Sequence, residues 1–265
     1  MNSDPGRVIG VFDSGVGGLS VWREIVALLP NEHTIYFADQ AHCPYGSRPL
    51  HEIRALAEAI VCFLLDQGAK LIVVACNTAS TAALYHLRER FDVPIVGMEP
   101  AVKPAAQRTA SGKVGVMATP ATFEGEPFAR LMGRFARDVE VIRQVCPGLV
   151  ERIEAGQLEG PEVEAPLRNC LQPLVDEGVD VLVLGCTHYP FLRPTIEQVI
   201  GPGVEVIDPA PAVAQQVRRV LARQGLLNPR QGKGRHVFYT SGSAESFLAM
   251  LEKLVGQRGE VRMAK

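Results

Sequence analysis

Leu71-Ile-Val-Val-Ala75 followed by Cys76-Asn77-Thr78, and Val181-Leu-Val-Leu-Gly185 followed by Cys186-Thr187-His188, are the two stretches that decide the fold of this chain. Each is a short, unbroken apolar run that ends in a cysteine and polar residues. Such a run reads as a strand buried on both faces, as in a parallel sheet. In open parallel sheets, ligands bind off the carboxyl ends of the strands. Both cysteines therefore fall where chemistry is expected, at positions 110 apart.

Around the first stretch, strands are expected at 8–12, 34–38 and 93–97, with helices at 19–29, 50–67 and 80–90. The pattern then restarts. Val114-Gly-Val-Met-Ala118 is similar to Ile9-Gly-Val-Phe-Asp13, which lies 105 positions earlier. A turn and helix over 119–135 follow, then a strand at 139–144, a helical or irregular stretch over 149–154, a helix at 162–177 and a last strand at 204–207. The chain is two βαβαβαβ units in tandem, with a boundary near residues 98–104. The expected class is α/β: two similar lobes, each a parallel sheet flanked by helices with right-handed crossovers, and a site in the cleft between them. A tail remains, with a helix at 212–224, the strand His236-Val-Phe-Tyr-Thr240 and a helix at 245–255. Periodicity does not assign the tail to either lobe.

With 27 basic against 29 acidic residues, no basic stripe marks the chain for nucleic acid or for a membrane surface, and neither is an expected partner. The longest apolar runs fall far short of the ~20 residues that span a bilayer. The segment Met1-Asn-Ser-Asp-Pro-Gly-Arg7 lacks the regions of a signal peptide. A soluble cytoplasmic protein with reduced thiols is expected. The cysteines at 43, 62, 76, 146, 170 and 186 include no C-x-x-C pair, and no His cluster completes a zinc site, so no metal is expected. Cys62 and Cys170 read as core residues.

A cysteine at a strand end sits near the N-terminus of the next helix, where the partial positive charge favours thiolate over thiol. Asn77, Thr78 and Thr187 can hold an anionic ligand together with backbone N–H groups. His188 is within reach of Cys186 as a proton partner, and Asp13 ends the first strand as a candidate relay. Either cysteine alone reads better as inert core; two at equivalent points of a duplicated unit read better as a matched pair. Other readings stay open. Asp13-Ser14-Gly-Val-Gly-Gly18 with Asp39 is a partial dinucleotide fingerprint, with Ser20 where the third glycine belongs. A Cys-His-Asp amide hydrolase uses one thiol and leaves the other incidental. A two-lobed solute-binding module accounts for the lobes but not for the thiols.

Taken together, Asp13-Ser-Gly-Val-Gly-Gly-Leu-Ser20, Asp39 with Pro44-Tyr-Gly-Ser-Arg48, Ala75-Cys-Asn-Thr-Ala79, Gly185-Cys-Thr-His-Tyr-Pro190 and Tyr239-Thr-Ser-Gly242 resemble the glutamate racemases of the aspartate/glutamate racemase superfamily. The resemblance implies a cofactor-independent, two-base racemase acting on glutamate and supplying D-glutamate for peptidoglycan, with aspartate racemisation as the neighbouring alternative. It implies that Cys186 serves the L-enantiomer and Cys76 the D-enantiomer. Asp13 and His188 tune the two thiols, and Asp39 and Glu154 are further acidic groups. Asp13, Ser14, Pro44, Tyr45, Gly46 and Ser47 would hold the amino acid, joined by Asn77, Thr78, Thr187 and His188 from the cysteine motifs.

The same resemblance implies that the tail returns to the first lobe. That lobe is then discontinuous, 1–98 plus 210–265, and the second is 99–209. A homodimer is also implied. The short segment ahead of Val8 implies activity without the cell-wall precursor that activates some members. Cys43 stands where the family more often has an aliphatic residue, and Cys146-Pro-Gly-Leu-Val-Glu-Arg-Ile-Glu154 is a loose match. The physical logic agrees, since inverting an α-carbon needs a base on one face and an acid on the other. A pyridoxal enzyme needs a lysine Schiff base; neither cysteine motif holds a lysine, and no cofactor is expected.

Overall fold

A computed structural model describes residues 7–230 and 232–264 of the chain. Most of the N-terminal segment read above, residues 1–6, lies outside the described residues. The first unit runs β1 (Val8–Asp13), α1 (Leu19–Leu28), β2 (Thr34–Ala38), α2 (Leu50–Asp66), β3 (Ala69–Val74), α3 (Asn77–Arg90) and β4 (Ile95–Val96). After α4 (Val102–Arg108) the second runs β5 (Lys113–Met117), α5 (Pro120–Glu124), α6 (Glu126–Phe135), β6 (Glu140–Gln144), α7 (Leu149–Glu154), α8 (Pro161–Asp176), β7 (Val181–Leu184), α9 (Arg193–Ile200) and β8 (Glu205–Ile207). The tail forms α10 (Ala210–Arg223), β9 (His236–Thr240), α11 (Ala244–Val255) and β10 (Glu260–Met263).

Two parallel sheets result, one with strand order β10-β9-β2-β1-β3-β4 and one with order β6-β5-β7-β8. The orders β2-β1-β3-β4 and β6-β5-β7-β8 are the same, so the duplication extends from sequence to strand pairing. Every residue of β3 and β7 is buried, which is why neither strand shows polar alternation. Lys70 of β3 is the exception in type, and its Nζ pairs with Glu32 Oε2 at 2.6 Å. Glu32 Oε1 in turn accepts the Asn228 N–H at 2.7 Å, which ties the tail to the first sheet.

The tail extends the first sheet through β9, which pairs with β2 from Thr34/His236 to Ala38/Thr240. Trp22 anchors it: its ring meets Phe238 edge-on at 5.1 Å, and its Nε1–H donates to Thr34 Oγ1. α10 buries Val213, Val217 and Leu221 at helical spacing, and packs on α1. One apolar cluster continues from Ile9 and Val11 of β1 to Leu149, Leu171 and Leu184, so the two lobes share a core.

Several expectations need correction. The sequence pattern does not reveal β10, because Glu260-Val-Arg-Met263 is a short, largely exposed edge strand without an apolar period. The single helix expected over 119–135 is two helices, α5 and α6, broken at an extended Gly125. A Cβ there would lie 1.9 Å from Thr81 Cγ2. Cys62 is exposed rather than core, since it faces outward on α2 while Ile60, Val61 and Leu64 face in. Nor are all thiols free: Cys146 and Cys170 are joined by a disulfide, with Cα atoms 5.8 Å apart, linking the segment after β6 to α8. Among the described residues, no helix is long and apolar enough to cross a membrane.

Candidate active site

The site starts at the turn after β1. Asp13 is fully buried, and its Oδ2 accepts the Gly18 N–H at 2.7 Å. Glu154 of α7 reaches across from the second lobe, and its Oε1 accepts the Val16 N–H at 2.7 Å. Ser20 Oγ lies 2.8 Å from Gly17 O and 2.9 Å from Thr187 O, so its single hydroxyl proton is shared between the two carbonyls. These bonds answer the dinucleotide reading. Two turn N–H groups that could meet a pyrophosphate are taken by carboxylates, and the residue in the third-glycine position ties the turn to the second cysteine motif. The turn has to be glycine-rich for a different reason. A Cβ on Gly15 would lie 1.9 Å from Glu154 Oε1, and one on Gly17 would lie 2.3 Å from His188 Nδ1.

Cys76 follows β3 and caps α3, with Sγ accepting the Ala79 N–H at 3.5 Å. Ser14 Oγ lies 3.9 Å from this sulfur. The helix terminus acts in the expected direction, but it does not win. Burial, and then the neighbouring carboxylate of Asp13, push the Cys76 thiol well above its ordinary range. The stabilisation of a thiolate expected from the helix end is therefore outweighed here by burial and by Asp13. Burial also raises the Asp13 carboxyl, against the opposing pull of His188 and Cys76. Asn77, next along, is buried with neither Oδ1 nor Nδ2 hydrogen-bonded. A buried carboxamide without partners is costly unless something else supplies them.

Cys186 follows β7 at the equivalent point. Its Sγ lies 3.8 Å from His188 Nδ1, and His188 Nε2 lies 2.7 Å from Glu154 Oε1. Burial works against a charged imidazole. Hydrogen bonds to Cys186, Cys43 and Glu154 outweigh it and hold the His188 pKa well above the usual histidine range. Burial likewise opposes ionisation of Glu154. The bonds from His188, from Gln40 Nε2 at 3.0 Å and from Val16 overcome it and lower the carboxyl pKa. The second lobe thus presents Cys186 backed by the His188–Glu154 pair.

Asp39 is engaged elsewhere. Its carboxylate accepts the Tyr45 hydroxyl at 2.5 Å and the Ser241 hydroxyl at 2.7 Å, with His42 Nδ1 at 2.8 Å. Its geometry is that of a residue orienting Tyr45, with Ser241 supplied by the tail. Burial, then Asp39, push the Tyr45 phenol well up, so it donates. Pro44, Gly46 and Ser47 line a cleft of about 370 Å³ between the lobes, opposite Thr119, Ala121 and Tyr189. Neither cysteine lines this cleft: Cys76 is 4% exposed and Cys186 7%. Thr78 Oγ1 meets Thr119 Oγ1 across the lobes at 2.9 Å, and Thr187 is buried beside Cys186.

Two groups here escape a reading by motif. Thr119, which caps α5 and bonds Thr122 Oγ1 at 3.0 Å, occupies the place in the second unit that Ser14 occupies in the first. The repeat that aligns Ala118 with Asp13 was the signal that could have found it. Cys43 lies beside His188 and Glu154, with one ligand-type atom from each of the three within 4.8 Å of the others. No spacing rule joins residues from three separate segments.

Two parallel sheets of matching strand order, with a cysteine directly after each matching strand, define a two-lobed α/β class. The chain belongs to the Asp/Glu/Hydantoin racemase family, whose family model matches residues 9–217. It is similar to a glutamate racemase from Roseiflexus sp. (strain RS-1), 51% identical over 96% of this chain and 94% of that protein. A glutamate racemase from Herpetosiphon aurantiacus is 53% identical over 90% of this chain and 94% of the relative. Among solved structures, a glutamate racemase isoform from Bacillus anthracis superposes with a TM-score of 0.88 at 34% identity, covering 98% of this chain and 97% of the other.

Proposed function

We propose that the chain racemises glutamate without a cofactor by a two-base mechanism, supplying D-glutamate for peptidoglycan. The observation that carries this reading is the pair of buried thiols at equivalent strand ends, each with its own proton partner: Asp13 for Cys76 and His188 for Cys186. The substrate lies between them. On the L face, Cys186 takes the α-proton, with His188 moving a proton to or from Sγ and Glu154 holding the ring. On the D face, Cys76 delivers a proton, and Asp13, whose carboxyl is made more basic by burial, receives or returns one. Asp39 positions Tyr45 rather than touching the reacting atoms. Asp13, Ser14, Pro44, Tyr45, Gly46 and Ser47, with Asn77, Thr78, Thr187 and His188 from the cysteine motifs, hold the amino acid. Pro44 and the Thr119 hydroxyl shape the mouth.

Removing an α-proton without an electron sink demands fixed donors at the substrate carboxylate and exclusion of water. The unpartnered Asn77 carboxamide and the N-terminus of α3 supply such donors. The enclosed thiols imply that the lobes part for entry and close for reaction. That motion fits a division into 1–98 plus 210–265 and 99–209. The reading extends to a cytoplasmic homodimer, supported by the family alone and testable by light scattering on the purified protein. Optical rotation of separate L-glutamate and L-aspartate solutions, after addition of dialysed protein, tests the function. Loss of rotation with glutamate alone is expected. Loss with aspartate alone, or ammonia release from glutamine, would replace the proposal with one of the alternatives.

A further inference from the structure

Cys43, Glu154 and His188 come from three separate segments: the loop after β2, the end of α7 and the turn after β7. Their ligand atoms lie within 4.8 Å of one another. In a tetrahedral site with Zn–S near 2.3 Å and Zn–N or Zn–O near 2.0 Å, ligand atoms stand roughly 3.3–3.8 Å apart, so closure by about 1 Å brings all three into contact with one ion. Thiolate, imidazole and carboxylate are also the ligand types that borderline-soft divalent ions prefer. A Cβ on Gly15 would lie 1.9 Å from Glu154 Oε1 and 3.1 Å from Cys43 Sγ, and one on Gly17 2.3 Å from His188 Nδ1, so all three groups pack directly against the glycine turn. The catalytic reading has no task for Cys43.

We propose that Cys43, Glu154 and His188 form a binding site for a thiophilic divalent cation of the Zn2+ class. Thiolate and carboxylate neutralise the ion, the thiol proton leaves to solvent, and the fourth position is open to water. A bound ion replaces the proton shared by His188 and Glu154 and takes the imidazole out of proton transfer. Occupancy therefore blocks turnover. The blocking step rests on the role proposed above for His188; the binding step does not.

The test uses Cd2+ as a spectroscopic probe and Zn2+ as the inhibitor, on full-length metal-free protein handled without air or reductant, so that the Cys146–Cys170 disulfide stays intact. The wild-type chain should bind one Cd2+ with thiolate-to-metal charge-transfer absorption in the ultraviolet. Cys43→Val, which restores an aliphatic side chain, and Cys43→Ser, which keeps the shape, should both lose that absorption. Losing even an outer partner of a metal ligand costs about 10- to 100-fold in affinity. Zn2+ inhibition, measured against each variant's own activity in chelator, should then weaken at least about 10-fold. Absorption and inhibition unchanged in both variants would place the ion on thiols other than Cys43 and overturn the proposal. Absence of any Cd2+ absorption in the wild-type chain would overturn it as well. A Cd2+ signal that depends on Cys43 in a protein without racemase activity would sustain the site and sink only the function proposed for it.

Discussion

His188 Nε2 lies 2.7 Å from Glu154 Oε1, and both groups belong to the second lobe while closing over the glycine turn of the first. The pair sets the charge state of the ring that faces Cys186. Glu154→Gln keeps the shape and an acceptor but removes the charge. A buried charge-assisted hydrogen bond contributes about 1.5–3 kcal/mol, so the variant should lose that much stability in denaturant unfolding. Because Glu154 acts through His188, racemisation should fall by roughly 10- to 150-fold, the equivalent of that energy. Wild-type rates in this variant would remove Glu154 from the proton path.

The same pair predicts a two-sided dependence of stability on pH. The folded-state pKa of His188 is raised, so its contribution is full below the unfolded value and is lost as pH rises through the folded value. That of Glu154 is lowered, so its contribution is present above the unfolded value and is lost as pH falls through the folded value. The melting temperature should therefore decline on both sides of neutrality. Glu154→Gln should remove this contribution to the acid decline and move the alkaline decline to lower pH, because one of the bonds holding the ring charged is gone. Superimposable melting profiles would contradict the shifts.

Asn77 separates binding from folding. Neither polar atom of its buried side chain has a hydrogen bond. Asn77→Ala therefore breaks no hydrogen bond made by that side chain within the protein, and the melting temperature should hold or rise. If the carboxamide binds the substrate carboxylate, about 1.5–3 kcal/mol is lost, or roughly 10- to 150-fold in KM. A lower melting temperature with unchanged KM would make Asn77 structural.

Much of this architecture was legible because burial on both faces leaves an unmistakable mark. Val181-Leu-Val-Leu184 reads as an interior strand and is one, and Val114–Ala118 repeats Ile9–Asp13 closely enough to expose the duplication. What stayed hidden depends on contacts between distant segments. β10 carries its hydrogen bonds on a backbone whose side chains stay largely exposed. Cys146 and Cys170 meet only once α8 is packed. The proton state of Cys76 turns on a balance between the Ala79 N–H, burial and Asp13, and the first of these alone could be anticipated from a strand followed by a helix.

Two glycines offer a matched contrast. Gly133 lies within α6, where an added Cβ meets nothing within 4 Å. Gly133→Ala should stabilise the fold by up to about 1 kcal/mol, with kcat unchanged. A Cβ on Gly17 would lie 2.3 Å from His188 Nδ1, so Gly17→Ala must displace the ring. Overpacking of this kind costs roughly 1–3 kcal/mol, and kcat should fall with it. Full activity in Gly17→Ala would show that the placement of His188 is not critical.

Two bases on opposite faces leave an isotopic signature that one base cannot. In D2O, starting from L-glutamate, Cys186 takes the α-proton and Cys76, already exchanged with solvent, delivers deuterium. D-glutamate formed at low conversion should therefore carry deuterium, while recovered L-glutamate stays protiated. A single swinging base would return solvent deuterium to both enantiomers or carry the original proton across. Cys76→Ala and Cys186→Ala should each abolish racemisation in both directions, because every turnover uses both sulfurs. Asp13→Asn and His188→Asn should lower kcat unequally in the two directions. KM must compensate, since the equilibrium constant fixes the ratio of the two kcat/KM values. Proton NMR of the α-position in each separated enantiomer reads the outcome. Equal early deuteration of substrate and product would sink the assignment of one thiol to each face.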